Sequence, residues 1–360
     1  MGSRVLRILA YHRVAELRDT PAVDSRGISA TPAVFAGQMQ HLARHYHVIG
    51  VPQFLNAIEN GAPLPKRAVL ITFDDAYTDF AEIAWPILKC FQLPATMFVP
   101  TSYPDHPERA FWWDKLHQAF KATARTELCG TPFGDLPLLN SEEKRRALRM
   151  VQDHCTTIPD DEAVRLVDYV CSELTKGLVY YGSVLSWDQL RRLANEGLTL
   201  GSHTRTHPIM TEVTPDRMRE EIRGSQEDLK REIGTALPIL CYPNGNHNDT
   251  VISILKDEGI RLAFTTLSGE NKSESLDLLR LRRVVITPRT SIAVFCARLL
   301  RLGAYLDAWR HGSMKKSPIR VPSQRQAGIA SKPAPDCTTN HGESSEYVLR
   351  ELLTTNREER

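Results

Sequence analysis

At 360 residues, with 42% apolar and 24% charged side chains, the chain is long enough for one large or two ordinary globular domains. Its 45 basic and 43 acidic side chains leave a formal charge of +2, which excludes the strong basic footprint of a nucleic-acid binder. The seven cysteines (Cys90, Cys129, Cys155, Cys171, Cys241, Cys296, Cys337) are odd in number and form no CxxC pair, so they read as scattered reduced thiols rather than a disulfide framework.

The N-terminus, MGSRVLRILAYHRV, reaches Tyr11-His12-Arg13 before a signal-type apolar core can form, and Leu6 stands where a myristoylation signal requires Ser or Thr. No stretch has the length of a transmembrane span, so the expected address is cytoplasmic. A strand is predicted at Val5–Tyr11, then a helix opened by Thr31-Pro32, a cap followed by proline at the first turn. Strands follow at Val69–Phe73 and Ala95–Val99. From about 105 to 181 no strand is evident. The text there is helical and charged (SEEKRRALRMVQDHC, DDEAVRLVDYVCSEL) and reads as a helical insertion in the position of a lid. A helix at Ser186–Glu196 stops before Gly197, and a strand at Thr199–Ser202 precedes a helix at Thr214–Glu232. Next come a strand at Pro238–Tyr242, a helix over 248–258 ended by Gly259, and strands at Ala263–Thr266 and Arg283–Ile286. SIAVFCARLLRLGAYLDAWR, with Arg298, Arg301 and Arg310, reads as the last core-packed helix; contact with an anionic membrane surface is the lesser reading. Residues 312–360 turn to Lys, Ser, Pro, Gln, Asn and Glu, the composition of a disordered tail, in which SEYVLRELLTTN has the pattern of one short helix. The alternation of strands and helices predicts an α/β fold with a mainly parallel sheet or barrel over residues 1–311, and no internal repeat is present.

VLITFDDAYTDF (Val69–Phe80) ends an apolar run on two adjacent carboxylates. Burying an unpaired carboxylate is costly and two neighbours repel, so Asp74 and Asp75 need compensation, and a metal ion is the first candidate. LTLGSHTRTHP places His203 and His207 four apart at the end of another apolar run, where a helical turn brings both to one ion. An Asp with two His leaves coordination positions open to water and substrate, the catalytic rather than the structural pattern. Each motif alone has an ordinary explanation, a helix cap or a surface loop. Both at strand ends in one α/β chain point to a shared site.

TFDD followed by HTRTH resembles the first two motifs of the polysaccharide deacetylases, the NodB-homology carbohydrate esterases of family 4, over roughly residues 4–290. The resemblance implies a distorted (β/α) barrel and removal of acetyl groups from N-acetylated sugars with one divalent metal, usually Zn2+. It implies Asp74 as general base and Asp75, His203 and His207 as metal ligands. The third family motif, Arg-x-Pro-x-Gly, survives as Cys241-Tyr242-Pro243-Asn244-Gly245, with cysteine in the arginine's place. Here the backbone amide of Asn244 is the implied oxyanion donor, and Tyr242, Pro243 and Gly245 complete the substrate-binding turn. Arg283, in LRLRRVVI, is the candidate substitute for the missing arginine. The family's usual acid, a Leu-x-x-His near the end of the barrel, is also missing, since the next histidine after Arg283 is His311. ILAYHRV instead puts His12 at the end of the first strand, as in the circularly permuted branch similar to poly-N-acetylglucosamine deacetylases. Histidine suits protonation of a leaving amine.

Trp112 and Trp113 read more readily as core than as a sugar platform. His106, His117, His154 and His247 have no comparable context, although His247 lies close to the third motif. The expected function is a metal-dependent deacetylase hydrolysing the N-acetyl group of an amino sugar in a glycan or glycoconjugate. A cytoplasmic address suits a nucleotide- or lipid-linked precursor better than a wall polymer. An O-acetyl esterase on the same fold is one alternative. A non-catalytic, metal-retaining carbohydrate-binding protein is another, although binding alone needs neither Asp74 nor His12. A paired-carboxylate glycosidase is disfavoured, because adjacent aspartates cannot readily flank a scissile bond.

Overall fold

In the computed structural model, which describes residues 5–16 and 27–300, the first apolar run is strand β1 (Val5–Tyr11), followed by β2 (Arg13–Val14) and β3 (Ile28–Ala30). Thr31 caps α1 (Pro32–His45) by accepting from the Val34 amide, with proline at the first turn, where its missing N–H leaves no bond unmade. β4 (His47–Val48) and α2 (Val51–Glu59) lead to β5 (Ala68–Phe73), buried along its whole length as a strand covered on both faces must be. α3 (Trp85–Cys90) and β6 (Thr96–Val99) follow.

The chain then leaves the sheet through α4 (Trp112–Ala122), a hairpin of β7 (Glu127–Thr131) and β8 (Gly134–Pro137), α5 (Ser141–Cys155) and α6 (Asp160–Leu174). The hairpin corrects the strand-free reading of 105–181. Only Leu128, Thr131 and Leu136 of it are buried, too few alternations to register as a period. These elements enclose an apolar centre of their own, including Leu116, Phe120, Val151 and Val170. Departure and return lie side by side: the Gly182 amide donates to the Glu108 carbonyl at 2.7 Å and Val184 to Pro107 at 3.2 Å.

α7 (Trp187–Asn195) opens on a reciprocal Ser186–Gln189 capping box, and β9 (Thr199–Ser202) leads to α8 (Pro215–Ile233), which stops at left-handed Gly234. β10 (Ile239–Cys241), α9 (Asp249–Asp257), β11 (Leu262–Phe264), β12 (Asn271–Lys272), β13 (Val284–Val285) and α10 (Ile292–Leu299) complete the described chain. The expected tail and the basic continuation of the last helix lie outside the described residues.

The main sheet runs β11-β10-β9-β6-β5-β1-β12, with β4 also on β5 and β13 also on β1, and every pair is parallel except β1–β12. Leu281 bridges to Phe264 while Val284 pairs with Leu9, so the segment 281–285 touches both β11 and β1 and the sheet curls into the expected distorted barrel. Alternate residues fill its interior, among them Leu6, Ile8, Leu70, Phe98, Ile239 and Phe264. At Gly201 a Cβ would come within 2.9 Å of both Ile239 and Phe98, so only glycine lets the wall close there. Among the described residues no helix is long and apolar enough to cross a membrane, and six cysteines carry free thiols.

Candidate active site

Parallel pairing sets Tyr11 of β1 opposite Phe73 of β5, so His12 and Asp74 leave adjacent strand ends together. His12 Nε2 lies 3.9 Å from Asp74 Oδ2. His203 follows β9 and Tyr242 follows β10 at the same edge, and these strand ends wall a cleft of about 450 Å³. Ligands in open parallel sheets bind at such carboxyl ends.

Asp75 Oδ1 is 3.4 Å from Nε2 of both His203 and His207. His203 Nδ1 is 2.8 Å from the Cys241 carbonyl, which can only accept, so Nδ1 carries the proton and Nε2 offers its lone pair. Asp75 Oδ1 is buried without a hydrogen bond, a costly state for a carboxylate unless a cation completes it. Two imidazoles and a carboxylate, with ligand atoms within 4.8 Å of one another, fit a divalent metal such as zinc with positions left open. Asp74, His203 and Cys241 also meet that distance, but a cation there would face the guanidinium already bound to Asp74. The first set is the better metal site.

That guanidinium belongs to Arg283, which is fully buried and donates to Asp74 Oδ1 at 2.8 Å and Oδ2 at 2.7 Å, while its Nε holds the Thr265 carbonyl. Cys241 leaves the place of the family arginine short, its Sγ 3.6 Å from Asp74 Oδ2, and Arg283 reaches the same carboxylate from the segment that closes the barrel. Burial by itself would raise the Asp74 carboxyl, but the charge and hydrogen bonds of Arg283 prevail and hold it well below the usual range. Burial, reinforced by neighbouring His203, lowers His207 to about 4, which keeps it in the neutral form that a metal ligand requires.

His203–His207 is not helical, contrary to the spacing argument. Left-handed backbone at Thr204 and His207 (φ 64° at each) and at Asp75 and Ala76 (72° and 54°) brings the three side chains together. Such conformations are strained in non-glycine residues and need external support. Buried Glu221 of α8 supplies it, accepting from the amides of Arg205 at 2.7 Å and Thr206 at 2.8 Å. The Ala76 carbonyl is held by the Leu185 amide.

Asn244 lines the cleft at φ 56° in the short turn Pro243–Gly245. Tyr242 also borders it, but its hydroxyl is committed to the Leu279 carbonyl and its ring stacks on His247. Pro243 and Gly245 are not wall residues; they shape the turn. A Cβ on Gly245, at φ 81°, would sit 2.1 Å from Thr266 Oγ1 and 2.6 Å from its amide. Gly245→Ala should therefore destabilise the fold by about 1–3 kcal/mol and displace Asn244. An unchanged melting temperature would contradict that packing.

The structure adds residues the sequence did not single out. Arg13 Nε donates to Asp79 Oδ2 at 2.6 Å, both side chains buried, and its guanidinium lies 4.3 Å over the Tyr77 ring. Trp112 and Trp113 both line the cleft, while Trp112 also packs on the insertion's apolar centre and Trp113 stacks on Phe111, so each serves as core and as cleft wall. Asp79 stands in the same motif run as Asp75, and Arg13 adjoins His12, but a pairing across 66 positions has no local signature.

A family model described as Polysaccharide deacetylase matches residues 61–263, more than half of the chain. A poly-beta-1,6-N-acetyl-D-glucosamine N-deacetylase of Escherichia coli (strain K12) is 33% identical over 100 residues, 28% of this chain and 14% of that protein. YxkH of Bacillus subtilis (strain 168) is 21% identical over 245 residues, 68% of this chain and 58% of that protein. The chain thus covers less than two thirds of these relatives' lengths. Among solved structures, the Streptococcus pyogenes deacetylase PplD in complex with acetate superposes with a TM-score of 0.56 at 21% identity, over 83% of this chain and all of that one, which shows a shared fold. The first two motifs fall at the ends of β5 and β9, on a barrel of that fold and inside the matched span, and on this match the chain belongs to the polysaccharide deacetylase family.

Proposed function

We propose that this protein is a metal-dependent N-deacetylase acting on an acetylated amino sugar within a glycan or glycoconjugate. The observation that carries the reading is the orphaned, buried Asp75 oxygen between two imidazoles, directly beside an ionised Asp74 clamped by Arg283. Asp75, His203 and His207 would hold a divalent metal, most simply zinc, which when bound would supply Lewis acidity to the acetyl carbonyl and to water. Asp74 takes a proton from the attacking water as its oxygen bonds to the carbonyl carbon. Arg283 keeps that carboxylate oriented and ionised until then. The Asn244 amide donates to the oxyanion that forms. His12 gives a proton to the sugar nitrogen as the C–N bond breaks, leaving acetate and a free amine. Trp112 and Trp113 offer ring faces to the sugar at the cleft wall. The Escherichia coli relative is named for removing N-acetyl groups from a glucosamine polymer, which supports a substrate of this class.

Acetate release should be assayed in parallel on N-acetylated and O-acetylated oligosaccharides. Release matched by new free amines is expected, and activity confined to O-acetyl substrates would replace the reading with an esterase. His203→Ala should remove stoichiometric zinc while the fold survives. Full zinc content in that variant would move the metal site elsewhere.

A further inference from the structure

The two histidines of the proposed metal site are held in different ways. His203 has its second ring nitrogen on the Cys241 carbonyl. His207 Nδ1 is buried and has no hydrogen-bond partner. Metal-ligating histidines ordinarily donate that N–H to an oxygen, which fixes the ring and its tautomer. Around His207 the structure places aromatic rings instead. The Trp113 ring centroid is 4.8 Å away at 60°, and that of Phe111 is 5.9 Å away at 63°. Both come from the start of the insertion, Phe111 being the N-cap residue of α4.

Trp113 is itself fixed from several directions. It stacks on Phe111 at 4.4 Å with the planes 7° apart, and its Nε1 donates to the Tyr77 hydroxyl at 2.9 Å. Tyr77 in turn donates to buried Asp114 at 3.0 Å, under the Arg13 guanidinium. An aromatic pair of this kind contributes about as much as a net hydrogen bond. We infer that Trp113 is a positioning residue for His207, holding the imidazole in its ligating orientation by ring packing where the usual hydrogen bond is missing. The insertion is then a working part of the metal centre as well as a wall of the cleft. This rests on the reading of Asp75, His203 and His207 as metal ligands.

The test is zinc affinity by competition with a chromophoric chelator, together with the visible spectrum of the cobalt-substituted protein, on full-length wild type, Trp113→Ala, Trp113→Phe and Tyr77→Phe. Trp113→Ala should bind zinc about 10–100-fold more weakly, the usual cost of losing a ligand's support, and its cobalt bands should shift. Trp113→Phe keeps a ring against His207 and should recover most of that loss. Should Trp113→Ala fail to fold, Tyr77→Phe keeps every ring and removes only the hydroxyl joining Trp113 to Asp114; it should also weaken zinc binding measurably. Wild-type affinity and spectrum in whichever of Trp113→Ala and Tyr77→Phe is folded would overturn the inference while leaving the metal site in place. A wild-type protein that binds no zinc would instead refute the metal reading beneath it.

Discussion

Asp74→Asn should bind zinc as the wild type does and lose about 10²–10⁴-fold in turnover, the usual worth of a positioned general base. The first half follows because Asp74 gives both oxygens to Arg283 and the proposed metal ligands are Asp75, His203 and His207. The second follows because a neutral amide cannot take a proton from water. The substitution also leaves the Arg283 guanidinium buried with no charge partner, a change that typically costs about 3–5 kcal/mol. The variant should therefore melt well below the wild type even with zinc bound. In the wild type the folded-state Asp74 carboxyl lies below its unfolded value. The stabilisation from the pair is thus fully present above roughly pH 4, the ordinary aspartate range, and is lost only as pH falls toward the depressed folded value. Loss of zinc in step with activity would show that the roles of Asp74 and Asp75 are exchanged.

His12→Ala should separate two substrates that share an acyl group. An amine is a poor leaving group without a proton, so turnover of an N-acetylated sugar should fall by about 10²–10⁴-fold. A phenolate leaves unassisted, so hydrolysis of an activated aryl acetate should fall far less. Zinc content should be unchanged, since His12 approaches Asp74 and is not among the three proposed ligands. Partial exposure in the cleft and a position 3.9 Å from the base carboxylate suit a group that must reach a leaving atom. Equal losses on both substrates would make His12 a structural residue and move the acid elsewhere, with His247 the next candidate.

The strand ends that carry the proposed chemistry were legible because the runs ending at Tyr11, Phe73 and Ser202 stop abruptly on His12, Asp74 and His203. Thr31 and Ser186 accept the amide bonds expected of their caps, and Asn248, which the sequence reading had not singled out, caps α9 in the same way. What could not be read is what the parallel topology brings together over long chain separations. Arg283 entered as a candidate substitute only through the resemblance, and its pairing with Asp74 across 209 positions has no local signature, while Glu221 braces the His203–His207 loop from a helix 15 or 16 residues later. The convergence of those two histidines rests on left-handed backbone at Thr204 and His207, which no residue type there announces. Trp113 was ambiguous for a physical reason. One face packs like core while the residue borders the cleft, so its composition and spacing fit either role.

The most direct measurement is of zinc and acetate together. Purified protein should be quantified for bound metal and assayed for acetate release from an N-acetylated glucosamine oligomer before chelation, after chelation and after zinc is returned. One zinc per chain is expected, with release that vanishes on stripping, returns on reconstitution and is matched by an equal count of new free amines. A folded protein that releases acetate undiminished after complete removal of metal, or that holds one zinc and releases none from N-acetylated oligomers, would contradict the account.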